Sequence, residues 1–119
     1  MASTKSNTAI LNQSLTDGGA DVTSTTMTMT TSYGGSLSMA LTNGGTGPTV
    51  PARLTVEISN DNSNWHTFAG PFNGSTTAGA AAEFVVIIPK EVLYCRVVAG
   101  GNTGQAVTAL VNGAQVTAI

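Results

Sequence analysis

The sequence predicts an all-β fold, an antiparallel two-sheet β-sandwich or jelly roll of seven to nine strands. Three observations predict it. Charged residues fill 8% of the 119 positions, against about 25% in an ordinary globular domain, and 19 Thr and 14 Gly stand in their place. Thr is β-branched and suits a pleated strand, while the helix formers Glu, Lys, Arg and Leu are scarce. Apolar and polar residues alternate with period two, most clearly where Leu54, Val56 and Ile58 interleave with Thr55, Glu57 and Ser59. Turn signals recur about every 8 to 15 residues, with no convincing helix and no internal repeat between them.

Residues 1 to 8 are polar and read as a flexible N-terminal arm, or an arm that orders against a neighbour, which leaves 9 to 119 as a single sandwich domain. Ile10, Leu11 and Leu15 mark a first strand over 9–15, and Asp17-Gly18-Gly19-Ala20-Asp21 is a turn. In the next stretch, 22–31, Met27 and Met29 alternate, but Val22 has the opposite parity, so either a bulge intervenes or Val22 belongs to the turn. Leu37, Met39 and Leu41 alternate in a strand that follows Gly34-Gly35. Residues 43 to 51 form a Gly- and Pro-rich loop, too long for a tight hairpin and exposed enough to make contacts. The strand over 52–59 leads into the polar turn Asn60-Asp61-Asn62-Ser63-Asn64 and a short strand from Trp65 to Phe68.

Residues 69 to 82 read as a second long loop, with Phe72 as a plug onto the core or as a contact residue. The apolar run Phe84-Val85-Val86-Ile87-Ile88 is a strand buried on both faces, or on one face plus a subunit interface, and Pro89 ends it. Over 92–99, Leu93, Cys95 and Val97 share one face, and Tyr94, Arg96 and Val98 the other. Asn112-Gly113 between 105–111 and 114–119 predicts a C-terminal hairpin, because Asn-Gly accepts the positive φ of a two-residue turn.

The net charge of −2 includes no basic patch, which argues against nucleic acid as a partner. The longest apolar run is too short to span a bilayer, so no membrane is expected, and the polar start has no apolar export core. The chain is thus expected to be made in a cytoplasm. So few charges protect a surface poorly against association, which favours a homo-oligomer or a part of a larger assembly. Cys95, the lone cysteine, cannot form an internal disulfide and reads as a small buried hydrophobe.

No catalytic constellation stands out, and no enzyme is expected. His66 is the one histidine, so any Ser or Cys nucleophile would have to use it as base, and with a single cysteine there is no His/Cys zinc set. The polar turn offers clustered oxygens to calcium, but Asp61 is its only carboxylate; a turn stabilised by its own side chains accounts for it as well. The glycines match neither nucleotide-binding pattern, and no metal or cofactor is expected. Trp65, Phe68 and Tyr94 read as structural anchors, Trp65 closing one end of the sandwich; an exposed Trp65 could instead stack on a sugar.

Two resemblances add to this reading. The run from Leu54 to Trp65 with Tyr94-Cys95-Arg96-Val97-Val98 resembles the strand-turn-Trp and Tyr-x-Arg pattern of discoidin-like β-sandwiches, where it belongs to the framework. Over most of 8–111, the segments Tyr33-Gly34-Gly35-Ser36-Leu37, Leu41 to Thr49, SNDNSNW and Leu93 to Gly104 resemble small virion structural proteins of tailed bacteriophages. That resemblance implies a capsid decoration (cement) protein, a trimer on the outer surface of the capsid, bound to the major capsid protein. A tail, collar or fibre-associated protein binding a carbohydrate or receptor is the alternative. The expected contact residues are Asn43, Gly44, Gly45, Thr46, Gly47, Pro48 and Thr49 in one loop and Pro71, Phe72 and Asn73 in the other, with the N-terminal arm beside them.

Overall fold

The computed structural model describes residues 3 to 118 and is all-β, with nine strands among them. These are β1 (Thr4–Leu15), β2 (Val22–Thr23), β3 (Met27–Thr28), β4 (Gly35–Asn43), β5 (Arg53–Ser59), β6 (His66–Asn73), β7 (Ala81–Ile88), β8 (Tyr94–Gly100) and β9 (Val107–Ala118). One sheet has the order β1-β9-β4-β7; the other has β2-β8-β5-β6, with β3 also on β8. Every pairing is antiparallel. The result is the expected two-sheet β-sandwich.

The core between the sheets is aliphatic. Leu37, Met39 and Leu41 from β4, Val107, Ala109 and Val111 from β9, and Val86 and Ile88 from β7 face Leu54, Val56, Cys95 and Val97 from the other sheet, all buried. The period-two pattern thus gives the inner faces of β4 and β5 correctly, and that of β8 from Cys95 onward; ahead of the strand Val92 is buried and Leu93, expected on the face of Cys95, is exposed. Cys95 is fully buried, its Sγ 3.9 Å from Met29 Sδ. Burial pushes its thiol up to about 11.

The parity break in 22–31 is a bulge. Val22 pairs with Ala99, and five residues later Met27 pairs with Cys95, only four residues back along β8. Ser24 fills the irregularity: its N–H donates to the Val97 carbonyl, and its Oγ accepts from the Val97 N–H at 2.9 Å.

Several expectations need correction. Residues 4 to 8 are no free arm but the first part of β1, paired from Thr4 to Thr8 with Ala118 to Gly113; residues 1 and 2 lie outside the described residues. These positions are polar because both side-chain faces meet solvent and only the backbone is held. The Asn112-Gly113 hairpin does not form. β9 runs straight through both residues, neither has positive φ, and each pairs with β1 on one side and β4 on the other. Gly113 is there for space: a Cβ would lie 2.5 Å from Met27 Sδ. The 69–82 loop is shorter than expected, since β6 extends to Asn73 and β7 starts at Ala81.

Candidate functional site

The expected contact loops lie together at one end of the sandwich and are largely spent on each other. Asn43 is buried and its Nδ2 donates to the carbonyls of Ser75 at 2.7 Å and Thr77 at 2.8 Å. Gly79 N–H donates to the Gly44 carbonyl, and Gly47 packs where no Cβ would fit against the Thr76 carbonyl. Asn43 therefore fastens the loop pair and Pro48 is buried, while Gly44, Gly45, Thr46 and Thr49 are exposed. Pro71 and Asn73 are exposed on β6. Phe72 is half-buried and stacks on Phe84 at a centroid distance of 5.1 Å, which bridges the two sheets. Of its two readings, the plug is the one the structure shows.

The aromatic anchors are not core residues. Phe68 is 38% exposed, and Trp65 and Tyr94 are half-buried on the outside of the second sheet. Register explains this: Ile58 opposite Cys95 faces the core, so Glu57 opposite Arg96 faces outward, and Ser59 opposite Tyr94 lies on that same side but buried. Arg96 Nε donates to Glu57 Oε1 at 2.9 Å, and the guanidinium lies over the Trp65 ring at 4.1 Å. Cation, carboxylate and indole satisfy one another on that face.

Beside them the polar turn is closed by Asp61. Its carboxylate accepts from the backbone N–H groups of Ser63 and Asn64, from Asn64 Nδ2 and from Ser59 Oγ. Those donors, the Asn64 backbone first, hold its carboxyl well below the usual carboxylate range. The turn's own donors thus occupy the Asp61 carboxylate, the one charged ligand it could offer calcium. Among the described residues no three His, Cys, Asp or Glu side chains gather in metal-binding proximity. His66 is exposed on β6 and makes no side-chain hydrogen bond to the described residues.

The open surface is elsewhere, on the outside of the β1-β9-β4-β7 sheet. Its outward positions are Ser36, Ser38 and Ala40 on β4, Leu110, Asn112 and Ala114 on β9, and Glu83, Val85 and Ile87 on β7. Among these only Glu83 is charged; on β1, Lys5 opposite Val116 adds a second charge to this face. Val85 is 68% exposed and Ile87 70%. At one corner Tyr33, Ile87 and Val116 line a cleft of about 530 Å³ together with Lys5 and Lys90. The apolar run of β7 is thus buried on one face and bare on the other. Sequence gave the run its choice between a second buried face and an interface, but not this edge position, which depends on strand order.

No protein-family model matches the chain, and no curated protein matches it by sequence. Solved structures match it in shape. Infectious bursal disease virus derived T=1 particles contain a chain aligned with a TM-score of 0.60 at 11% identity, covering 95% of this chain and 31% of that one. The structure of the Gx strain of that virus gives 0.56 at 13% identity, covering 94% and 31%. A subunit of the disulfide-linked pili of Bacillus endospore appendages gives 0.52 at 10% identity, covering 100% and 93%. This chain spans about a third of the viral chains. At these identities the likeness is one of fold, and it places the chain among β-sandwiches.

Proposed function

We propose that this chain is a virion structural protein, a decoration (cement) protein of a tailed phage that binds the outer surface of the major capsid protein shell and stabilises it as a trimer. It is a binder, with no enzymatic activity and no cofactor. The observation that carries the reading is the sparsely charged outer sheet face ending in bare Val85 and Ile87. Contiguous exposed apolar surface on a chain with so little charge marks an interaction site. Sandwiches of similar shape occur in virus-derived particles and in pili, which are repeating assemblies. Electron microscopy of purified particles tests the reading: copies in the hundreds over the shell are expected, and a handful at one vertex overturns it.

A second reading, a tail, collar or fibre-associated protein that binds a carbohydrate or receptor, is favoured by Trp65 lying at the surface. Its chain neighbours Asn64 and His66 line a depression of about 480 Å³ together with Ile58, Ser59, Asn60 and Asp61. Arg96 lies over the half-buried indole, and a sugar ring would stack on the part that the guanidinium leaves open. A glycan array decides it: binding that disappears in Trp65→Ala supports this reading, and a blank array removes it.

A further inference from the structure

Strand β7 ends its sheet, and residues 81 to 88 make no backbone hydrogen bond outside the β4–β7 ladder among the described residues. Every second N–H and C=O of an antiparallel edge strand points away from its neighbour. Edge strands are commonly protected by Lys, Pro, a bulge or a covering loop. Within Ala81–Ile88 there is no Lys or Pro, the register with β4 has no shift, and the one charge is Glu83. We infer that β7 pairs with β7 of a second copy, antiparallel about a two-fold axis at Val86, so that two four-stranded sheets become one of eight strands.

The register follows from which residues would meet. Opposite residues in an antiparallel pair lie on the same face. Centred on Val86, the pairing sets Val85 against Ile87 of the second copy and Phe84 against its Ile88, so every opposed pair within 84–88 is apolar. Centred on Val85, it would set Glu83 against Ile87; centred on Ile87, it would set Val85 against Pro89, which has no N–H.

Charge selects the same register. Centred on Val86, Glu83 lies beside the Pro89-Lys90 turn of the second copy, twice by symmetry. Glu83 and Lys90 are exposed, and the one ion pair among the described residues is Arg96–Glu57, so both are unspent. An arriving Glu83 thus meets Lys90, one of the chain's four cations. The contact is isologous and does not rest on the virion reading. A trimer formed through other surfaces keeps this edge free, and the edge then joins two trimers.

Sedimentation of the full chain over micromolar to millimolar concentrations tests it. The wild type is expected to populate an even-numbered species with weak affinity, since the strands bury less than a standard interface. V85K/I87K should halve that mass with unchanged circular dichroism, because both side chains point into solvent. Glu83→Lys should weaken association about tenfold, as should Lys90→Glu, and the E83K/K90E double variant should restore it. The swap stands as a separate arm should V85K/I87K unfold. A wild type with no even-numbered species, folded V85K/I87K of undiminished mass, or a double swap that fails to restore association overturns the inference.

Discussion

On the outside of the β2-β8-β5-β6 sheet, Glu57, Arg96 and Trp65 are paired with one another. On the outside of the other sheet, Ser36, Ser38, Ala40 and Ala114 lie beside Val85 and Ile87 with no ion pair among them. Both faces rest on the same aliphatic core, yet they use their surface differently. Groups that are paired within the chain stabilise the monomer. A face of small and apolar groups adds little to the monomer and leaves its burial to a neighbour.

The largest expected effect would break the premise that one core serves both faces. Leu41→Ala and Leu54→Ala, fully buried on opposite sheets, should each cost about 3 kcal/mol by chemical denaturation. A loss below about 1 kcal/mol in either would mean that its sheet is not held by the shared core. Next comes Asn43→Ala, which strands the carbonyls of Ser75 and Thr77 and should cost about 2 kcal/mol. An unchanged denaturation midpoint would return that loop to the list of free contact surfaces.

Smaller effects sharpen the contrast between the faces. Arg96→Ala removes an ion pair and a cation–π contact, both part-exposed, and should cost about 1 kcal/mol. Asp61 is held below its ordinary carboxylate value of 3.8, so its contribution is present above that pH and is lost as pH falls below it. Acid titration of Asp61→Asn should therefore show a shallower loss of stability than wild type in that range. Val85→Ser should be the quietest, within about 0.5 kcal/mol in the monomer, while weakening self-association. A larger monomer loss would mean that Val85 is not bare.

Much of the sandwich was legible because a strand with one buried face shows its periodicity. Leu37-Met39-Leu41 and Leu54-Val56-Ile58 announced both their strands and their inner faces. Residues 4 to 8 hid their strand because backbone pairing with β9 requires no apolar side chain. Asn112-Gly113 misled because a turn and a close side-chain approach both call for Gly, and only the fold shows Met27 arriving from a distant strand. Trp65 misled because an aromatic suits a core, whereas Arg96, placed by the β5–β8 register, gives it a partner outside. The contact loops were legible as loops, but their mutual fastening through Asn43 was not, since its partners lie more than thirty positions away.

Cys95 makes the chain its own reporter of opening. An alkylating reagent attacks thiolate, and this sulfur is both shut away from solvent and held protonated with its thiol near 11. The rate at which the native protein takes up label therefore reads how often β8 parts from the facing core. Measured with and without self-association, the same clock times how far a bound neighbour slows that breathing, with no introduced probe.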